Sequence, residues 1–327
     1  MCTVIEKRVK SEKINIAINL IKLRTLSDEQ IAQATGLSLK MVVELAEQMK
    51  MESRHNNHVM KYIFYLYEGK IEEAQKSKHD VIPDKLYKFE PYEEYRLKTI
   101  ENSKIYLSCP TAFNDAFDTK GIYYSDKFLK KIYSENDIKM DFEQFSEKIE
   151  EILNNFYKYS GITCFSENLY NFPMWGNYAG NRTGFCMEYR IKSDSIDDCF
   201  FDRFYPVIYS DKKFNFEKIL EVIIPKAFNG QNIPNSVILL LYSLVGSIKH
   251  ISWAYEKEWR YIIPSKFKEQ EFPFKVNAIY LGDKFKEENY IRMKKMAINL
   301  NCELYKMTSP RHFDRDFRFI PQKIELN

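Results

Sequence analysis

Apolar residues in the first fifty positions recur at the spacing of helix faces. Ile14 and Ile18 lie four residues apart, so they fall on one face of a helix. Ser27 precedes a second helical stretch and has Gln30 three residues later, which is the spacing of a capping box. We therefore predict a small all-α module over residues 1–52.

A helix-turn-helix pattern occurs in the same module. Gly36 suits the turn between the second and third helices, and Ser38 can cap the third. That third helix would be the DNA-reading helix, but its charged residues have both signs: Lys40, Glu44, Glu47 and Lys50. No Arg, Asn or Gln stands at its start to read base edges. We expect the module to bind a partner, with a protein favoured over nucleic acid.

The pattern changes after this module. Residues 53–82 indicate a connecting helix and a polar linker, whereas residues 83–327 alternate strand-like and helical runs. The predicted strands are 85–89, 105–108, 161–165, 185–191, 259–263 and 276–281. The predicted helices are 92–102, 126–157, 174–179, 211–222, 237–248 and 286–299. This mixed order predicts an α+β fold around a mixed or antiparallel sheet.

The composition of the 327 residues, with 45% apolar and 29% charged residues and a net charge of +3, is that of an ordinary soluble globular protein. Neither G-x-G-x-x-G nor G-x-x-x-x-G-K-[ST] occurs, which argues against a Rossmann or P-loop nucleotide enzyme. The 6 Cys form no C-x-x-C pair and have no His at zinc spacing, so we expect no structural metal. The longest apolar stretch, 237–245, is shorter than the roughly 20 residues of a membrane span. We expect a cytoplasmic protein.

Two polar clusters follow predicted strands. Asn114 and Asp115, with Asp118 close behind, place an amide and two carboxylates after the second strand, which is typical both of turns and of metal or substrate loops. Cys164 and Ser166 lie at the end of a later strand, where side chains commonly line a cleft. A buried Cys beside a capping Ser is the structural alternative.

An aromatic pair lies on a short predicted helix. Trp175 and Tyr178 are three residues apart and share a helix face. Gly176 and Asn177 lie between them and Arg182 follows, which makes the surroundings polar for a packing helix. We expect either core packing or a pocket for a ring and an anionic group together.

The most charged cluster precedes a late strand. Glu256, Glu258 and Arg260 alternate with Tyr255, Lys257 and Trp259. If the strand already runs through these positions, the two carboxylates share one face and converge on a substrate, with Arg260 continuing that face. An exposed strand edge with alternating charges is the alternative.

Six motifs occur in one order along the second region. They are Tyr-Lys-Phe, Leu-Ser-x-Pro-x-x-Phe-Asn-Asp-x-Phe-Asp, Cys-Phe-Ser-Glu, Met-Trp-x-x-Tyr-Ala, Gly-Phe-Cys-x-Glu-Tyr and Tyr-Glu-x-Glu-Trp-Arg. This order resembles the bacterial domain-of-unknown-function family numbered 2971, over about residues 83–285. Two positions depart from the family pattern, since Ala116 replaces the usual Pro and Asn177 replaces a frequent His. The family name implies no activity.

The order of the candidate residues is also similar to that of ADP-ribosyltransferases. In those enzymes a basic or His residue on the first strand, a Ser or Tyr on a second and a Glu on a later strand hold NAD. Lys88, Ser166 and the pair Glu256 and Glu258 occur in this order, although Lys88 stands where Arg or His is usual. A carboxylate suits this chemistry because it stabilises the oxocarbenium-like state formed when the bond to nicotinamide breaks.

These resemblances imply an NAD-dependent, ADP-ribosyltransferase-like enzyme, with a toxin or antiphage role expected from the fused helical module. The catalytic candidates are Lys88, Ser166, Glu256 and Glu258. The substrate-binding candidates are Asn114, Asp115, Trp175, Tyr178, Arg182 and Arg260. Two alternatives stay open: a metal-dependent nuclease using Asp115, Asp118 and Lys120, and a non-enzymatic regulator that binds a nucleotide or nucleic acid.

Overall fold

The fold is α+β, as predicted. A computed structural model describes residues 12–14, 16–21, 26–49, 54–113, 115, 117–191, 198–228, 238, 241, 244–264, 268–309 and 319–326. Residues 12–14 and 16–21 are helical. The further α-helices are Asp28–Thr35, Leu39–Met49, Arg54–Tyr67, Ile71–His79, Glu94–Glu101, Asp126–Glu135, Phe142–Tyr159, Phe172–Asn177, Asp198–Phe201, Glu217–Phe228 and Tyr290–Asn299. No helix within these described ranges is long and apolar enough to cross a bilayer.

The local signals of the N-terminal helices are confirmed. The Ser27 hydroxyl accepts a hydrogen bond from the backbone N–H of Gln30 at 3.3 Å, and the Gln30 side chain accepts one from the backbone N–H of Ser27 at 2.8 Å. Gly36 ends the helix with a φ of 64°, a conformation that glycine adopts without strain. Ser38 accepts a hydrogen bond from the backbone N–H of Met41 at 3.3 Å, which caps the next helix.

The segment predicted as a connector packs against the second region. Tyr67, at the end of the helix Arg54–Tyr67, lies with its ring centroid 4.4 Å from that of Phe214. Lys78, in the following helix, is fully buried, and its ammonium donates to the backbone carbonyl of Asp202 at 2.7 Å. These helices are therefore more than a spacer, while the assignment of residues 1–52 to a module of their own stays a prediction.

Among the described residues, the strands form one large sheet and three small two-stranded sheets. They are β1 Lys85–Glu90, β2 Lys104–Tyr106, β3 Ile122–Tyr123, β4 Ser160–Ser166, β5 Phe185–Arg190, β6 Phe204–Pro206, β7 Ile208–Ser210, β8 Phe214–Asn215, β9 Ile248–His250, β10 Glu258–Pro264, β11 Glu269–Glu271, β12 Val276–Leu281, β13 Glu303–Thr308 and β14 Ile320–Lys323. The large sheet has the order β14-β13-β12-β5-β1-β4-β10-β6. Its neighbours are antiparallel except β12 and β13, so the sheet is mixed.

Apolar residues cover both faces of the large sheet because successive side chains of a strand point to opposite sides. Met187 and Ile279 pair across β5 and β12 and belong to the larger core. Phe89 and Cys186 pair across β1 and β5 and join a smaller core with the fully buried Trp175. The sheet is thus a central layer with an apolar core on each face. A binding site can therefore form only at strand ends or where neighbouring strands separate.

Candidate functional site

A cleft opens where two central strands diverge. β1 pairs with β4 at Tyr87 and Ser166, whereas its ladder with β5 runs through all six of its residues. Farther along β4, Ser108 pairs with Ile162 in place of β1. The gap between the strands forms a cleft of about 310 Å³. This volume is at the lower end of the range of small-molecule sites.

Five charged side chains lie together at one end of this cleft. Each is between 1% and 4% exposed: Asp118, Lys249, Glu256, Glu258 and Arg260. Arg260 binds Asp118 through two hydrogen bonds of 2.7 Å, and its Nε donates to Glu258 at 2.8 Å. We call this group the charged cluster.

Lys249 connects the two glutamates of the charged cluster. Its Nζ lies 2.6 Å from Glu256 Oε2 and 3.2 Å from Glu258 Oε2. The other oxygen of Glu256 accepts a hydrogen bond of 2.5 Å from the Tyr178 hydroxyl. Three carboxyl groups therefore face two basic side chains, which leaves one negative charge in excess if all are ionised.

The pKa values of the two glutamates are shifted in opposite directions. Burial, reinforced by the charge of Glu258, raises the pKa of Glu256 to about 7. Burial also acts on Glu258, but the charges of Arg260 and Lys249 outweigh it and hold the pKa of Glu258 below its ordinary value. At neutral pH Glu258 is thus an anion, while Glu256 can give up or take a proton. Divergent pKa values in a carboxyl pair are typical of acid and base roles.

The strand predicted to carry both glutamates begins only at the second one. Glu256 ends the 3₁₀ turn Ile251–Glu256, and Lys257 has a φ of 46° before β10 starts. The prediction that Glu256 and Glu258 share a strand face is therefore wrong. Their carboxyl groups converge because both bind Lys249, not because of strand alternation.

Ser166 holds this turn in place from behind the cleft. Its side chain is fully buried, and its hydroxyl donates to the backbone carbonyl of Glu256 at 2.6 Å. The same hydroxyl accepts from the backbone N–H of Asn168 at 3.1 Å. Ser166 thus positions Glu256 rather than lining the cleft, which corrects its expected catalytic role.

Residues 174–261 match the model of a family described as protein of unknown function, DUF2971. The matched segment contains the glutamate pair and Arg260, and it ends within β10. It is shorter than the expected resemblance over residues 83–285 and excludes β1. No curated protein and no solved structure matches the chain significantly.

The aromatic pair at the start of the DUF2971 segment is divided between core and cleft. Trp175 is fully buried, its indole N–H donates to the carbonyl of Leu169 at 2.8 Å, and its ring meets Phe89 edge-on at 5.2 Å. The expectation that Trp175 stacks on a ligand is therefore corrected, since its ring belongs to the core. Tyr178 lines the cleft beside Glu256.

A tight turn fixes the segment that carries Tyr178. Gly184 lies so close to the end of β1 that a Cβ there would be 2.2 Å from the carbonyl oxygen of Glu90. Arg182, in the same turn, forms an ion pair of 3.4 Å with Asp283 and does not line the cleft. The prediction that Arg182 binds an anionic group of a ligand is therefore corrected, since its partner is the Asp283 side chain.

The loop before Asp118 behaves as a turn. Asp115 accepts a hydrogen bond of 2.9 Å from the backbone N–H of Phe117 and does not line the cleft, which corrects its expected substrate contact. Asn114 lies outside the described residues. Arg260 donates a hydrogen bond to each oxygen of Asp118, so this carboxylate, which the nuclease alternative assigns to a metal, forms a buried ion pair. Within the described part of the chain, no three His, Cys, Asp or Glu side chains are grouped as a metal site.

The sequence reasoning missed Lys249 as a site residue. Lys249 directly follows residues 237–248, which were predicted as a helix, and it lies on the short strand β9. Its signal is a single Lys with no motif around it. Lys88, a catalytic candidate of the sequence, lines the cleft, and its Nζ lies 3.0 Å from Glu90.

Proposed function

We propose that the protein is an ADP-ribosyltransferase-like enzyme that breaks the N-glycosidic bond between ribose and nicotinamide in NAD. The observation that carries this proposal is the pair of Glu256 and Glu258 in one cleft, with pKa values that diverge. Glycosidic bond cleavage commonly uses two carboxyl groups with separate roles around an oxocarbenium-like transition state.

In the proposed reaction the two glutamates have separate roles. Nicotinamide leaves with the electron pair of the C–N bond, and the ribose becomes an oxocarbenium-like cation. The fixed negative charge of Glu258 favours this cation. The hydroxyl group of an acceptor, or water, forms the new bond to the ribose carbon and passes its proton to the ionised Glu256. A general base works best when its pKa is near the working pH, as it is for Glu256.

Tyr178 and Lys249 position the reacting carboxyl group. Each holds one oxygen of Glu256, so its remaining lone pairs are directed rather than free to rotate. The ring of Tyr178 also lines the cleft, where an aromatic face suits the leaving nicotinamide. The helical module over residues 1–52 supports the further proposal of a toxin or antiphage effector, in which the module recruits a partner.

The variant Glu256→Gln should lose NAD cleavage by about 10²-fold or more, which is the usual size of a general-base contribution. The amide keeps the size of the side chain but cannot accept the proton. The measurement is the rate of nicotinamide release from NAD, which chromatography monitors. Glu147→Gln is the matched control because Glu147 is an exposed position on the helix Phe142–Tyr159. Equal activity in the two variants, or none in the unmodified protein, contradicts the proposal.

The cleavage rate should rise with pH and level off above about pH 7, because the base must be ionised and the pKa of Glu256 is raised to about 7. Tyr178→Phe should move the midpoint to higher pH, because the Tyr178 hydroxyl lowers the pKa of Glu256. Rates of nicotinamide release between pH 5 and 9 test both expectations. A rate that is flat across this range, or an unchanged midpoint in Tyr178→Phe, assigns the proton transfer to another group.

A further inference from the structure

A second charged group, which is basic, lines the cleft on the side of β1. Lys88, on β1, and Arg96, on the helix Glu94–Glu101, both line the cleft. Both bind the same carboxylate, since Lys88 Nζ lies 3.0 Å from one oxygen of Glu90 and Arg96 Nη1 binds the other. The side chains are 9%, 20% and 3% exposed for Lys88, Arg96 and Glu90, so this group is largely removed from water.

Lys88 and Arg96 carry two positive charges and Glu90 carries one negative charge, so this group has a net charge of +1. Glu93 approaches Arg96 Nε at 3.5 Å, but it is 48% exposed and its charge is screened by solvent. Arg96 is also held in place, because its guanidinium lies 5.2 Å from the ring centroids of Tyr95 and Tyr106. A fixed guanidinium beside a lysine matches the usual recognition of phosphate groups.

A buried hydroxyl on β4, which forms the other side of the gap, has no partner in the described structure. Thr163 is 2% exposed and lines the cleft, and its Oγ1 forms no hydrogen bond within the described structure. Thr163 lies on β4 beside Ile162, where this strand has separated from β1 and pairs with Ser108. An unsatisfied buried hydroxyl costs about 1–3 kcal/mol and calls for an explanation. A ligand oxygen in the cleft supplies one.

We propose that Lys88, Arg96 and Thr163 form a subsite for a phosphate group. This inference rests on the proposed function, in which the glycosidic bond is broken at Glu256, and it places the phosphate of the nucleotide in the same cleft, apart from the charged cluster. Arg96 donates to a phosphate oxygen, Lys88 supplies a point charge and the Thr163 hydroxyl donates a hydrogen bond. The substrate is therefore a nucleotide rather than a nucleoside.

Nicotinamide mononucleotide and nicotinamide riboside test this subsite, since both have the glycosidic bond and they differ only in the phosphate. Calorimetric titration of the Glu256→Gln protein keeps each ligand intact. We expect the mononucleotide to bind at least about tenfold more tightly than the riboside. Equal affinities, or no binding of either compound, overturn the subsite.

Two variants assign the phosphate contact to named residues in the same Glu256→Gln background. Thr163→Val keeps the shape of the side chain and removes the unpartnered hydroxyl. It should leave the unfolding midpoint unchanged or higher, while it weakens mononucleotide binding severalfold and leaves riboside binding unchanged. Lys88→Met should weaken mononucleotide binding about tenfold, and Glu90 keeps Arg96 as its partner. Equal losses for both ligands indicate a structural role and overturn the subsite.

The subsite and the proposed function can fail separately. If the unmodified protein binds the mononucleotide through its phosphate but releases no nicotinamide, the phosphate subsite stands and the glycosidic reaction does not. If nicotinamide is released equally well from both compounds and their affinities are equal, the reaction stands and the subsite does not.

Discussion

The variant Arg260→Met should lose about 3–5 kcal/mol of the free energy of unfolding, which is the usual cost of removing one partner from a buried ion pair. The Arg260 side chain is 1% exposed and forms ion pairs with both Asp118 and Glu258. In its absence Lys249 is the one basic side chain of the charged cluster, and it faces three carboxyl groups. Chemical denaturation at neutral pH measures the loss.

Arg292→Met is the matched control for this substitution. Arg292 also binds two carboxylates, Glu94 and Glu101, but on the surface, where an ion pair contributes about 1 kcal/mol or less. The pKa of Glu258 is lowered in the folded protein, so its contribution to stability is present above pH 4.5 and is lost as the pH falls. Arg260→Met should therefore lose less unfolding free energy in acid, so that its loss approaches that of Arg292→Met. Similar losses in both variants contradict a stabilising role of the charged cluster.

Much of the fold could be predicted because its signals are local. The capping box of Ser27 and Gln30 and the left-handed Gly36 depend on neighbouring residues, and both occur as expected. The helix predicted over residues 211–222 begins only at Glu217, because Phe214–Asn215 pairs with β3. That pairing joins segments about ninety residues apart, and no local pattern indicates it. The short strands β6 to β9 could not be predicted from the sequence for the same reason.

The candidate site also combines residues that are close in sequence with residues that only the fold brings together. Glu256, Glu258 and Arg260 stand within five positions, so the sequence could indicate them together. Asp118 joins them from 142 residues away and Lys249 from another strand, and the pKa values of both glutamates depend on Lys249. The chemistry of the pair is therefore a property of tertiary packing. The sequence could name the carboxyl groups but not their protonation.

The role of Trp175 gives the clearest contrast between the sequence and the structure. The pair of Trp175 and Tyr178 at helical spacing predicted a stacking site or a packed core, and the structure places the Trp175 ring in the core. A ring packed edge-on against Phe89 at 5.2 Å and against Phe319 at 5.9 Å contributes to folding. It cannot also lie against a ligand in the cleft.

Trp175→Ala should therefore lose about 3–5 kcal/mol of the free energy of unfolding, the usual cost of deleting a buried large aromatic side chain. Trp175→Phe should lose less, because a ring still packs on Phe89 while the hydrogen bond to the Leu169 carbonyl is lost. Denaturation curves measure both losses, and NAD kinetics corrected for the folded fraction give the KM. We expect the KM of the Phe variant to equal that of the unmodified protein. A Trp175→Ala protein with an unchanged unfolding midpoint and a strongly raised KM contradicts the core assignment, since only a residue that touches the ligand changes binding without changing folding.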